Sequence, residues 1–435
     1  MATSETSISA RSATAAPDQQ RVKRLQSLGI LCGFAAGAWL GAAEAPTKFV
    51  TIGVSPIVIS FMMVLGVFLA RWTIPALFQG VSGIRADVRQ APHLIVWGVL
   101  AGCIWAVANT LTIFAIRNIG LSIAFPLWNS NSLLGIFWGF VLFNELRDAG
   151  GRRWFGVVGG AVVMFAGAVL LALASSSQAP AGQAMRGILG ALGAGVLWGT
   201  MYIPYRKAYI TGMSPLSFVA FFTFGELGMM FALGAFYTGG ISPFFAQLSQ
   251  NRGLLFWLLL GGFIWVIGDL FQQYAAKYVG ISRGIPLSNT NQLWGLLWGI
   301  LVFGELRGAA HGIYAQVIGG SLLMALGAGA IALSSANESE HTRWRDAAER
   351  ESRRYGLNNS YVQARLVGEQ AGPARRSWFD VVLIAFATMV IIVFAKFAAV
   401  PQIEPRWGTM AVIAIAMIVL AVVSGFVLWK TTKFS

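Results

Sequence analysis

Apolar runs of about 20 residues, separated by short polar joints, recur along this chain from residue 28 to residue 429. Five fall near 28–46, 51–70, 93–116, 121–143 and 154–174. After the polar joint SSSQAPAGQ, five more fall near 187–205, 214–236, 253–276, 284–303 and 312–333, and a last pair near 380–399 and 408–429. Crossing about 30 Å of hydrocarbon takes roughly 20 apolar residues in a helix. The pattern therefore predicts an all-α polytopic membrane protein. Two stretches depart from it. Residues 1–26 are rich in Ser, Thr, Ala and Gln and read as a solvated cytoplasmic tail, without the features of a signal peptide. Residues 335–378 are densely charged and read as a cytoplasmic linker with a solvated helix over 340–354, or as a regulatory segment.

The run GLSIAFPLWNSNSLLGIFWGFVLFNELR, from Gly120 to Arg147, returns as GISRGIPLSNTNQLWGLLWGILVFGELR from Gly280 to Arg307, with half the positions identical and no gap. An offset of 160 residues is too long for a solenoid repeat and fits two copies of one membrane unit, 27–175 and 184–334. Five spans per copy is an odd number, so the copies must lie in opposite orientations. The expected fold is two inverted five-helix repeats, making ten transmembrane helices, plus a C-terminal two-helix hairpin over 379–430.

Composition narrows the class. With 56% hydrophobic and 11% charged residues, the chain is far more apolar than a soluble domain. Its net charge of +14 lies unevenly: with the N-terminus inside, 24 of the 31 Lys and Arg fall on the cytoplasmic side. That bias places both termini in the cytoplasm of a plasma (inner) membrane protein and explains the basicity without nucleic acid. Cys32 and Cys103 sit in apolar spans without CxxC spacing, and His93, His311 and His341 are isolated, so neither a metal nor a disulfide is expected. No HExxH, GxSxG or Walker-type loop is present, so no cofactor and no enzyme activity is expected.

Candidate chemistry lies in polar groups at membrane depth, each costly unless paired or wetted. Asn131 falls about 15 Å into the fourth span, and Asn129, Asn289 and Asn291 accompany it across the repeat, behind Pro126 and Pro286, which break their helices. These amides either bind substrate or bond helix to helix. Glu226 stands mid-span, and Asp269 matches Asn109 of the first copy, with Gln272 and Gln273 beside it. Either carboxylate can couple transport to protons, or form a salt bridge with Lys277 or Arg206. Glu44, Lys48, Tyr202 and Arg206 cluster around Pro46 and Pro204 and are expected to bound the pathway. Glu145 and Glu305 end their spans, where caps and gate contacts are expected. Trp105 and Trp265 recur in mid-span, where a ring face suits a sugar or plain packing. Gly29, Gly33, Gly37 and Gly41, repeated as Gly187, Ala191, Gly195 and Gly199, form small-residue stripes for close packing or rocking, and Gly156 and Gly160 offer a homodimer contact.

The endings VLFNELR and LVFGELR, Trp198–Gly199 and the two five-span copies resemble the ten-helix drug/metabolite transporter superfamily. PLWNSNSLLG and PLSNTNQLWG, with the prolines of spans one and six, are most similar to its bacterial glucose, ribose and rhamnose porter branch. Over residues 27–335 the resemblance implies a substrate cavity among spans one to four and six to nine, alternating access, and monosaccharide uptake driven by a proton. Relatives carry amino acids, drugs and other metabolites, so an exporter or facilitator is the alternative. The last two spans and the 334–378 segment depart from the ten-helix pattern.

The charge bias yields a topological prediction. Single cysteines beside Arg186 and Arg252 will react with an impermeant thiol reagent from outside, and those beside Arg206 and Arg376 will not; the opposite labelling reverses the orientation.

Overall fold

The computed structural model describes residues 19–43, 45–46, 54–119, 127–174, 181–304, 310–334, 336, 338–368, 376–399 and 404–434. Before the 175–180 joint come α1 (Gln19–Ala42), α2 (Pro56–Phe78), α3 (Val81–Gln90), α4 (Leu94–Ile119), α5 (Asn131–Phe143) and α6 (Gly150–Ala174). After it come α7 (Ala181–Ile210), α8 (Pro215–Thr238), α9 (Ile241–Gln250), α10 (Leu255–Val279), α11 (Ile281–Ser288), α12 (Asn291–Leu297), which runs into a wider π turn over Trp298–Val302, and α13 (His311–Leu333). Then follow α14 (Glu338–Tyr355), α15 (Asn359–Leu366), α16 (Trp378–Lys396) and α17 (Trp407–Thr432).

Among the described residues, ten helices are long and apolar enough to span a bilayer, α1, α2, α4, α6, α7, α8, α10, α13, α16 and α17. The fold is that of an all-α polytopic membrane protein. The fourth and ninth apolar runs are not continuous helices. The ninth is interrupted at Asn289 and Thr290, three residues after Pro286, and the fourth at the matching Asn129 and Ser130, beyond which α5 runs for 13 residues, about 20 Å of helix. Pro126, expected to break it, lies outside the described residues. Two elements come from stretches expected to be loops: α3 and α9, ten residues each, start 160 residues apart. Too short to show helical periodicity clearly, they follow α2 and α8, both of which begin with a Ser-Pro pair, Ser55–Pro56 and Ser214–Pro215, with proline in the first turn where its missing N–H costs nothing.

The six most extensive helix pairings each join a helix before the 175–180 joint to one after it: α1 with α10, α2 with α8 and α10, α4 with α7 and α8, α6 with α13. Small residues make these crossings close. A methyl built on Gly66 of α2 would fall on the Leu259 carbonyl of α10, and one on Gly262 on the Met63 carbonyl. Gly102 of α4 and Gly225 of α8 oppose the carbonyls of Phe222 and Val99 in the same reciprocal way. The glycine stripes of α1 and α7 also pack. Gly37 and Gly41 meet Thr290, Asn291 and Trp294, while Gly195 and Gly199 meet Trp128, Ser130, Asn131 and Leu134. The first helix on each side of the joint thus clasps the interrupted segment of the other side. Gly156 and Gly160, considered for a homodimer, are covered instead by Ser334, Gly327 and Ile331 of this same chain. Pairing α6 with α13 internally consumes that face.

The hairpin α16–α17 lies on the outside, α16 against α2 and α17 against α1, with most of its surface apolar and exposed, as a lipid-facing helix requires. Its start is fixed by a capping box between Ser377 and Asp380, and Asp380 also accepts from Val81 N–H at 2.7 Å.

The crossings give a mutational contrast. Gly225→Ala will destabilise detergent-solubilised protein by about 1–3 kcal/mol because the methyl meets backbone that cannot yield. Gly228→Ala, which faces open space, will be neutral or slightly stabilising. Thermal unfolding followed by size-exclusion fluorescence reads the difference, and equal melting temperatures refute the close crossing.

Candidate functional site

Arg71, Glu226 and Asp269 meet in the interior, supplied by α2, α8 and α10. Arg71 Nη1 donates to Glu226 Oε2 at 2.6 Å and Nη2 to Asp269 Oδ2 at 2.7 Å, and all three side chains are fully buried. The guanidinium lies 4.3 Å from the Phe222 ring centroid and 5.4 Å from that of Trp265, so rings cover what carboxylates do not. Trp265 stands edge-on to Trp105, 5.3 Å between centroids. Gln273 donates to Asp269 Oδ2 at 2.8 Å. The sequence had offered Lys277 or Arg206 as the partner of a buried carboxylate. Arg71 takes that place, because α2 continues to Phe78 where the apolar run had been ended at residue 70. The chain beyond it, WTIPALF, was the available signal.

The triad holds two carboxylates and one cation. With every group ionised it carries one net negative charge in a region without water, and transferring an ion there costs several kcal/mol even when paired. Glu226 Oε1 and Asp269 Oδ1 accept no hydrogen bond among the described residues. The Thr223 hydroxyl lies beside Glu226 and the Tyr205 hydroxyl beside Asp269, so a proton or ligand hydroxyl would compete with these neighbours for the carboxylate lone pairs.

A second polar cluster joins the two interrupted segments. Asn289 Nδ2 donates to Asn131 Oδ1 at 2.9 Å and to Ser132 Oγ at 2.5 Å, and Asn131 Nδ2 reaches the Tyr202 hydroxyl at 3.4 Å. Gln272 donates to Ser288 Oγ at 2.6 Å. Asn129 Nδ2 and Asn291 Oδ1 are buried without a hydrogen-bond partner among the described residues. Three tyrosines of α7 connect the clusters. Tyr202 packs edge-on against Tyr205 and Tyr205 against Tyr209, whose hydroxyl donates to Gln273 Oε1. Asn109, matched in sequence to Asp269, does not join the triad; it donates to Ser60 Oγ at 2.7 Å.

Arg206, expected with Tyr202 to bound the pathway, lies at the end of the bundle. Its Nε is 2.9 Å from Glu145 Oε1, close enough for an ion pair though not aligned as a hydrogen bond. Glu145 also receives Ile281 N–H at 3.3 Å and Ser282 N–H at 3.0 Å, capping α11 across the molecule. The cap expected at Glu145 is therefore present, on α11 rather than on its own helix. Glu44, Lys48 and Glu305 lie outside the described residues. Among the described residues, no three His, Cys, Asp or Glu converge as metal ligands would.

Comparison with known proteins gives a coarse similarity in sequence. A family profile described as "Sugar transport protein" matches residues 189–354. The "Probable glucose uptake protein GlcU" of Staphylococcus aureus strain N315 is 24% identical over 238 residues, 52% of this chain and 75% of its own. The "Glucose uptake protein GlcU" of Staphylococcus xylosus is 24% identical over 233 residues, 52% of this chain and 74% of its own. The relationship holds at superfamily level. A solved structure described as "Crystal structure of protein" covers 68% of this chain and 96% of its own at 19% identity, with a TM-score of 0.44, too distant to bear on function.

Removing the one cation of the triad strands two buried carboxylates. Arg71→Gln will cost about 3–5 kcal/mol of stability, and adding Glu226→Gln and Asp269→Asn will restore most of it. A thermal-shift double-mutant cycle measures this; additive losses mean the three groups are not coupled.

Proposed function

We propose that this protein is a secondary transporter of the drug/metabolite superfamily type that takes up a monosaccharide with a proton by alternating access. The carrying observation is the dry triad of Arg71, Glu226 and Asp269. One proton on its carboxylate pair changes the net charge from −1 to 0, and a group whose charge changes at membrane depth can bias the inward/outward equilibrium of the helices that hold it. Substrate occupancy acts on the same place. Glu226 and Asp269 are acceptors for sugar hydroxyls that replace those of Thr223 and Tyr205, and Trp265 and Trp105 offer ring faces for the apolar side of a pyranose. Asn129, Asn131, Asn289, Asn291, Asn109 and Gln272 are the proposed polar lining, with rearrangement of the Asn131–Asn289 bond on opening. The names of the low-identity relatives point the same way.

Two inverted five-helix copies are the architecture this reading requires. It is supported by the exchange of packing partners across the joint and by α3 and α9, which start 160 residues apart. The excess of Lys and Arg on one side supports a plasma-membrane orientation with both termini in the cytoplasm.

The test separates coupling from binding. In proteoliposomes, Glu226→Gln or Asp269→Asn will abolish accumulation of labelled glucose against its gradient under an imposed pH difference, yet retain exchange of labelled for unlabelled sugar, since exchange moves no net proton. Uphill accumulation with unchanged pH dependence in both variants removes the carboxylates from the mechanism.

A further inference from the structure

The charged segment between the tenth and eleventh apolar runs has a role that neither its composition nor the transport site assigns. Glu340, Trp344, Ala348 and Ser352 recur every four residues along α14 and are all buried, while Arg345, Glu349, Arg353 and Arg354 stay outside or partly outside. A helix this polar has little apolar surface to drive docking. Its inner face is held by charge instead.

The grip reaches both sides of the 175–180 joint. Glu340 binds Arg283 at 3.0 Å and receives Leu146 N–H at 2.7 Å. Arg343 pairs with Asp148, and Glu351 with Lys207 at 3.3 Å. The ring of Trp344 lies 4.3 Å from the Arg206 guanidinium carbon, and Tyr355 stacks on His93 at 3.8 Å. Beyond Gly356, which has φ +63 and where an added methyl would meet open space, α15 is anchored separately. There Arg365 and Tyr361 both bond Asp87, which also receives Ser217 Oγ and Ser214 N–H.

Directly beneath α14 lies the contact that closes this end of the bundle, Glu145 against Arg206 and the α11 amides. Arg206 belongs to both layers, and Arg283 lies two residues from Ile281. Separating Glu145 from α11 moves Leu146 and Asp148 away from Arg206, Lys207 and Arg283, and α14 is bound to both groups. A carrier that opens this end must release one set of those contacts first. Buried pairs resist partial release, because a half-broken one leaves an ion without water or partner.

We infer that α14 is a lock on this end of the transporter, swinging about Gly356 on its α15 anchor, so that opening requires its release as one unit. Charge distribution places that end in the cytoplasm. His341 is not the trigger: burial, opposed by Glu340, holds its imidazole at about 4, neutral at cellular pH and able to accept from Gln26 Nε2. The flux part of the following test rests on the transport reading; the exchange part does not.

The full-length protein, with Cys32 and Cys103 replaced by alanine, carries Arg343→Cys and Asp148→Cys in lipid nanodiscs and is bridged by a reducible bis-methanethiosulfonate. Hydrogen–deuterium exchange of the peptide containing Ile281 and Ser282, whose N–H groups Glu145 holds, will slow at least about tenfold when bridged and recover on reduction. Glu340→Gln, unbridged, will speed it by a similar factor. In proteoliposomes the bridge will stop glucose counterflow, again reversibly. Single-cysteine variants treated alike control for modification alone. Equal exchange in bridged, reduced and Glu340→Gln protein overturns the lock, as does undiminished counterflow in fully bridged protein. Exchange that responds as expected while no sugar moves in any form upholds the lock and rejects the transport reading instead.

Discussion

The charged side chains at the meeting point of α2, α8 and α10 are fully buried, and that burial governs the arrangement around them. In water an Arg71 pair would contribute about 1 kcal/mol or less. In the dry interior its two carboxylates and one guanidinium must stay together, because none can be solvated alone. The triad therefore does more than attract. It specifies which three helices share an interior and fixes their rotation, since only one face of each carries the charged side chain. Trp265, Phe222 and Gln273 complete that specification by filling the sides the carboxylates leave open.

From there a continuous line of contacts runs outward. Gln273, Tyr209, Tyr205 and Tyr202 connect the triad to Asn131 and Asn289, and α7, which carries the tyrosines, ends in the Arg206 that pairs with Glu145. Charge at the centre and closure at the end thus share one rigid element. A rotation of α7 that alters the triad's surroundings also moves the Arg206–Glu145 contact.

Much of this was legible in the sequence, and the rest was hidden for identifiable reasons. Length and apolar periodicity are strong signals over 20 residues, so the long helices were visible, as were Glu226, Asp269 and the asparagines, which are conspicuous against an apolar background. Arg71 is not, because a charge beside an apolar run reads as the water boundary, whereas this one is fully buried. The 338–366 helices were visible as charge pairs but not as a docked element, since local spacing cannot distinguish a partner four residues away from one 57 residues away, as with Arg283 and Glu340. The interruption at Asn289 followed from Pro286. The short α3 and α9 did not, because ten residues hold fewer than three turns of pattern.

The reciprocal glycine crossings of α2 with α10 and α4 with α8 have a mechanical consequence. Where backbone touches backbone there are no rotamers to freeze, so such a contact changes little as lipid or temperature changes. A thicker or thinner bilayer must still be matched, and helices meet it by tilting. Here the crossings, with the like approach of Gly160 to Gly327 between α6 and α13, are the points that resist sliding. Membrane thickness then acts on this protein as leverage on helix tilt, with the crossings as fulcra.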